Sequence, residues 1–325
     1  GVIESELRCK STAPTTYTAP HGVYTVFPNP GQLDEVAFKT QPIPQPDLEQ
    51  VKIAYSALNF RDIMLAYGKL DKDCLVGYSG KGDGWGLEFA GRVIDKSGKP
   101  GRRVVGLSTN CIGTQINVDN SLLFDLKDDQ NMADYATVPC VYSTSYYSLL
   151  VRAKMQPKDS VLIHAGTGGV GQSALHICLR RTKDPSLIFT TCSAKKRPYL
   201  IKKFGPLGLR PENIGNSRDI SFEQLIMERT SGRGVDIVLN SLDGESLQAS
   251  WRVVAPFGRF CEIGKYDLMQ NTGLPMQVFL KNISFLGIDL DQIMDMPEEW
   301  EMIHKLVADG IQSGEVQPLD RKVFE

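Results

Sequence analysis

Hydrophobic and polar positions along the chain fall into two textures. Over residues 51–57, Val51, Ile53, Tyr55 and Ala57 alternate with Lys52, Ala54 and Ser56, the period of a half-buried strand. LEFAGRVI (87–94) and RRVVGLS (102–108) read as further strands, broken by the turn at Ser97-Gly98. Phe60 to Tyr67 reads as a short helix capped by Asn59 and stopped by Gly68. Pro42, Pro44 and Pro46 mark an extended segment or sheet edge, and 71–84 a loop. From about Thr144 strands and helices alternate. Strands are expected at 161–163, LIFTTCS (187–193), VDIVLNS (235–241), GRFCEIG (258–264) and ISFLGIDL (283–290). Helices are expected along the amphipathic face Val170, Ala174, Leu175, Cys178, then over Lys195–Phe204, Ser221–Thr230, Glu245–Val254 and Glu298–Ala308. Ser221 and Gln224 have capping-box spacing. This repetition predicts an α/β protein in which a β-rich part precedes a doubly wound parallel sheet.

Composition narrows the picture only a little. A chain of 325 residues points to two domains, and 42% hydrophobic with 23% charged residues is the profile of a globular protein. The formal net charge of -2 forces no basic face, so nucleic acid is not an expected partner. No run of 18 apolar residues predicts a membrane span. Seven scattered cysteines without a C-x-x-C pair argue for reduced thiols in the cytoplasm and against a zinc cluster.

Candidate chemistry centres on VLIHAGTGGVG, residues 161–171. Glycines at 166, 168 and 171 have G-x-G-x-x-G spacing between an apolar strand and a helix, with Gly169 in addition. Glycine permits a sharp turn and a close backbone approach to a pyrophosphate at a helix N-terminus. The cradle would comprise Gly166, Thr167, Gly168, Gly169, Val170 and Gly171. NAD enzymes place an acid at the end of the second strand to hold the ribose 2′-hydroxyl. Here that strand ends in Thr191-Cys192-Ser193, followed by Lys195, Lys196 and Arg197. Cations and a hydroxyl there predict NADPH; a solvated helix start is the plainer alternative, weakened because basic residues oppose the helix dipole. Asn240, Ser241, Leu242, Ile263 and Gly264 fall at carboxyl ends of expected strands, where doubly wound sheets bind ligands. Ser241 could instead cap the next helix.

LNFRD (58–62), IHAGTGGVGQ (163–172), NSLDGESLQAS (240–250) and GRFCEIGK (258–265), in that order, resemble the medium-chain dehydrogenase/reductase superfamily. Within it, the chain is similar to the enoyl reductase domains of animal fatty acid synthases and related polyketide synthases. The resemblance implies a GroES-like substrate domain at 1–145, a Rossmann NADPH domain at 146–288 and a return to the substrate domain at 289–325. It also implies NADPH-dependent reduction of the 2,3 double bond of a trans-2-enoyl thioester on an acyl carrier protein, within a multifunctional synthase. Trp85 and Leu87 before Glu88, where zinc enzymes carry ligands, imply a zinc-free member. The family's C-terminal stretch does not follow Glu325, so the chain reads as cut inside a domain.

The resemblance matches Lys265 and Asp291 to the lysine and aspartate proposed as proton donors. Each follows an expected strand end, although a surface lysine and a turn residue are the plainer readings. Asp291 must be protonated to act. His164 reads as a satisfied core histidine, and Tyr67, a possible donor, as a core residue. The apolar edge strand 283–290 and the side-by-side arrangement in animal synthases imply a homodimer. A quinone oxidoreductase acting on free small molecules is the alternative enzyme, and a silent dimerisation scaffold the alternative class.

Overall fold

The computed structural model describes residues 22–324 apart from 34, 42–45, 71–84 and 96. Pro42, Pro44 and the 71–84 loop therefore lie outside the described residues. The chain divides into two compact units. The first holds the residues up to Pro139 with Asp291–Pro297 and Asp320–Glu325; the second holds Cys140–Leu290 and Glu298–Leu319.

In the first unit, β1 (Val23–Val26) and β2 (Ala37–Thr40) form an antiparallel pair. A five-stranded antiparallel sheet follows from β3 (Glu49–Ala57), β4 (Glu88–Ile94), β5 (Pro100–Leu107), β6 (Gln115–Val118) and β7 (Leu123–Asp125) in the order β6-β3-β4-β5-β7. Val51, Phe89, Val104 and Leu107 are fully buried in it. Helix α1 (Phe60–Ala66) begins at Asn59, whose amide donates to Asp62 Oδ2 at 2.8 Å. Helix α2 (Met132–Tyr135) is capped by Asn131 Oδ1, which accepts from the Ala133 and Asp134 amides.

The second unit opens with α3 (Pro139–Tyr146), which runs on as a π turn over Tyr147–Arg152. Its sheet comprises β8 (Val161–Ile163), β9 (Ile188–Cys192), β10 (Ile214–Asn216), β11 (Val235–Asn240), β12 (Val254–Glu262) and β13 (Ser284–Gly287). All neighbours are parallel and the order is β10-β9-β8-β11-β12-β13. The chain moves outward from β8 in one direction and then, from β11, in the other. A topological switch point therefore lies between β8 and β11, where such sheets bind ligands at the carboxyl ends.

The first four connections carry α4 (Gly169–Arg181), α5 (Arg197–Phe204), α6 (Ser221–Arg229) and α7 (Gly244–Arg252). Trp251 stacks on Phe260 at 3.9 Å in the core beneath α7. α8 (Tyr266–Met269), α9 (Leu290–Ile293) and α10 (Pro297–Ser313) complete the chain, and α10 clusters with the second unit. Two features anchor α10. Gly310, lacking a side chain, admits Val316, and Tyr142 Oη both accepts from the Gln317 amide and donates to its carbonyl.

Several expectations change in detail. α4 is buried nearly all round, from Gly171 to Leu179, rather than amphipathic. Ser221 does not cap α6: Ile220 is the N-cap, and the Asp219 carboxylate accepts from the Ser221 amide at 2.9 Å. The strand expected at 283–290 is paired only over Ser284–Gly287, so Asp291 lies in the first turn of α9 rather than at a strand end. Among the described residues no helix is long and apolar enough to cross a membrane.

Candidate active site

The glycine turn leaves β8 between two neighbouring strands. Val161, Leu162 and Ile163 are fully buried. Ala165 adopts a positive φ of 50°, and its carbonyl accepts from the Gly168 amide at 2.7 Å. The Gly166 amide donates to Thr191 O of β9 at 2.8 Å. A Cβ at Gly166 would stand 2.1 Å from Thr190 Oγ1, and one at Gly171 2.3 Å from Ala165 O. These distances require glycine at both positions. Gly168 is the N-cap of α4, and no acidic side chain lies in its first turn. The helix start thus presents unpaired amides and a dipole suited to phosphate. Val170, in that turn, is half-buried and its carbonyl accepts from Ser173 Oγ at 3.0 Å. Gln172, which sequence reasoning passed over, braces the turn. Its Nε2 donates to Thr167 O at 3.0 Å, and its Oε1 accepts from Tyr199 Oη at 2.7 Å and Lys203 Nζ at 3.0 Å. These residues fit the pyrophosphate of a dinucleotide.

At the end of β9, Ser193 is half-buried and Lys195, Lys196 and Arg197 are exposed. Arg197 donates one bond to Pro211 O at 2.7 Å, which fixes the guanidinium and leaves other donors outward.

Asn240 and Glu262 are register partners at the ends of β11 and β12, and both are buried. Asn240 Nδ2 donates to Glu262 Oε2 at 2.7 Å and to Leu242 O at 2.8 Å. The Gly264 amide donates to Glu262 Oε1 at 2.6 Å, and the Ile263 amide to Asn240 O at 3.0 Å. The backbone of Leu242, Ile263 and Gly264 is therefore held by one buried amide–carboxylate pair, while Ser241 is exposed. Asp243, not Ser241, is the N-cap of α7. Sequence reasoning also missed Glu262; its signal was a carboxylate inside an apolar strand.

Burial pushes the Glu262 carboxyl up to about 7, against the pull of the Asn240 and Gly264 hydrogen bonds. A raised carboxyl contributes stability that is full below its ordinary value near 4.5 and is lost as pH rises through 7. The change across that window is ~3 kcal/mol. The thermal midpoint is expected to fall between pH 5 and 8, and Glu262→Gln to flatten that fall. An unchanged slope in the variant would place the titration on another group.

Lys265 is the N-cap of α8, directly after this network, and its Nζ lies 3.1 Å from Asp289 Oδ1. Asp291 belongs to the first unit, where it is buried and accepts from Arg61 Nη1 at 3.4 Å. Arg61 also reaches Asp62 Oδ1 at 3.6 Å. Asp62 accepts from the Gly86 amide at 3.0 Å, and burial raises its carboxyl above the ordinary value despite Arg61. Asn59 Nδ2 donates to the buried Glu88 at 3.0 Å. The structure thus gives Asp291 the place of an ion-pair partner to Arg61.

His164 is confirmed as a core histidine. Its ring nitrogens meet Thr191 Oγ1 at 3.1 Å and Ser250 Oγ at 2.8 Å, and burial lowers it to about 3. Tyr67 is exposed, not packed in the core, because it is the C-cap of α1. Among the described residues no three His, Cys, Asp or Glu side chains gather as a metal site.

Residues 212–325 match the zinc-binding dehydrogenase family. The chain is 35% identical over 300 residues to the reducing polyketide synthase FUB1 of Gibberella fujikuroi, covering 89% of this chain and 12% of that protein. It is 38% identical over 268 residues to the lovastatin diketide synthase lovF of Aspergillus terreus, covering 80% and 11%. It therefore spans about an eighth of these relatives. The crystal structure of CurK enoyl reductase superimposes with a TM-score of 0.80 at 30% identity, covering 94% of this chain and 92% of that one. The chain belongs to the enoyl reductase family of polyketide synthases, within the medium-chain dehydrogenase/reductase superfamily, whose fold implies a nicotinamide cofactor.

Proposed function

We propose that the chain reduces the 2,3 double bond of a trans-2-enoyl thioester, using NADPH, on the acyl carrier protein of a larger reducing synthase. The observation that carries this reading is the row of carboxyl-end elements around the β8–β11 switch point. The glycine turn follows β8, cations without an acid follow β9, and the Asn240–Glu262 pair holds the loops after β11 and β12. A bound reduced nicotinamide supplies hydride to the β-carbon of the thioester. Gly166, Thr167, Gly168, Gly169, Val170 and Gly171 would seat the pyrophosphate. Ser193, Lys196 and Arg197 would meet the 2′-phosphate. Asn240, Ser241, Leu242, Ile263 and Gly264 would line the ribose and nicotinamide. Lys265 Nζ would stabilise negative charge on the thioester oxygen and deliver the α-carbon proton. We further propose that two copies lie side by side through β13, one of the two edge strands of the sheet, in the cytoplasm.

The test is NADPH-dependent saturation of crotonyl-coenzyme A; turnover of quinones alone would overturn the reading. Cofactor choice has its own expected result. Lys196→Ala or Arg197→Ala weakens NADPH roughly 10- to 100-fold, the effect of one charge-assisted phosphate contact, and leaves NADH nearly unchanged. Equal losses for both cofactors, measured by fluorescence titration, would sink the assignment.

A further inference from the structure

On the outer face of the first unit's sheet, three cations stand in one cross-strand row. Lys52 of β3 is the register partner of Arg92 of β4, and Arg92 that of Arg103 of β5. Directly opposed residues on neighbouring strands lie about 5 Å apart at Cβ, and like charges there repel. Elsewhere on this sheet charge is balanced: Arg102, one residue before Arg103, pairs with Asp125 at 2.6 Å and Glu49 at 3.6 Å. Among the described residues no carboxylate pairs with Lys52, Arg92 or Arg103 within 4 Å.

The arginines are fixed by neutral acceptors instead. Arg103 Nη1 donates to Lys127 O and Nη2 to Gln130 O at 2.5 Å, and Arg92 Nη1 donates to Gly101 O at 3.1 Å. Carbonyl partners orient a guanidinium without neutralising it. A bulge between Ile53 and Tyr55 places Tyr55 beside Ala90, on the face that carries Arg92. Arg92, Arg103, Tyr55 and the α2 entry residues Asp128, Asn131 and Met132 enclose an open cleft of about 400 Å³.

We propose that this cleft binds a compact polyanion of diphosphate type, at a site separate from the glycine turn. The anchored guanidiniums offer fork geometry suited to phosphate oxygens, and Tyr55 a ring wall for the rest of the ligand. The wall formed by Asp128–Met132 makes the site concave, a shape that suits a compact ligand better than an extended peptide.

Inorganic pyrophosphate is the probe, added to the ¹⁵N-labelled protein, with the Arg92 and Arg103 side-chain Nε resonances followed by NMR and affinity measured by calorimetry. Saturable shifts of both resonances are expected. Lys52→Gln/Arg92→Gln, judged folded by its thermal midpoint, is expected to weaken binding at the Arg103 resonance at least 10-fold; Lys52→Arg is expected to retain it. Unmoved Nε resonances in the wild type would overturn the proposal, as would unchanged affinity in the double variant. Tighter binding by hexa-aspartate than by pyrophosphate would also overturn it, making the face a docking surface for an acidic protein segment.

Discussion

Gly171→Ala is expected to lower dinucleotide affinity at least 100-fold and to lower the thermal midpoint as well. Its Cβ would stand 2.3 Å from Ala165 O and 2.7 Å from Gly166 Cα, both backbone atoms of the turn that would hold the pyrophosphate. Backbone cannot rotate away as a side chain can, so the turn itself must move, at a cost of about 1–3 kcal/mol. Gly166→Ala should behave alike, because the atom it meets is not free to yield: Thr190 Oγ1 donates to Ile163 O at 2.7 Å. Gly168→Ala differs. Its Cβ would lie 3.2 Å from Ala165 O, a contact that a small adjustment relieves, and its φ of -77° suits any residue. The fold should survive nearly unchanged while a methyl group intrudes where a phosphate would approach the α4 amides, so affinity falls roughly 10-fold without a matching loss in melting temperature. Cofactor fluorescence and thermal melts on the three variants separate cradle from scaffold. If Gly168→Ala binds the dinucleotide as the parent does, the start of α4 is not the phosphate site.

The backbone plan was legible because most of it is local. The alternation from Val161 onward predicts the parallel sheet, and the strand–glycine–helix join at 161–171 is recovered to within a residue or two. Asn59 as the start of α1 was legible for the same reason. Short or fully buried elements were not. β10 spans only Ile214–Asn216, too few residues for a period to register. The α3 and π-turn segment, PCVYSTSYYSLLVR, buries Tyr142, Tyr146 and Leu149 without an apolar stripe, so no helical period stands out. The site divides along the same line. Its glycines and cations are read from spacing, whereas Glu262 acquires its meaning from Asn240 on the neighbouring strand. Asp291 acquires its meaning from Arg61, 230 positions away in the chain. Pairings of that range belong to the fold, and no local pattern encodes them.

Lys265→Ala is expected to cut kcat by ~10²–10³ at saturating NADPH, the loss that follows removal of a principal oxyanion donor. The ammonium has three donors, and one is directed to Asp289 at 3.1 Å. That contact limits the positions from which Nζ can meet a developing enolate oxygen and an α-carbon. Both members of the pair are about a quarter exposed, so its loss should hardly alter folding stability. Asp291→Ala should show the reverse profile. It removes one partner of an ion pair whose side chains are 11% and 4% exposed, a change that costs about 3–5 kcal/mol when the remaining charge is stranded. Asp62 at 3.6 Å still offers Arg61 a carboxylate, which puts the expected cost at the lower end of that range. Its effect on kcat should be smaller than that of Lys265→Ala, because Asp291 is tied to Arg61 at 3.4 Å. General-acid assistance is worth roughly 10²–10⁴, so a Lys265→Ala/Asp291→Ala protein should be slower than either single variant if both residues serve proton delivery. Should the double variant bind NADPH and keep the parent kcat, the proton comes from water or from the exposed Tyr67 hydroxyl. A double variant no slower than Lys265→Ala alone would leave Asp291 with the single task of holding Arg61 in place.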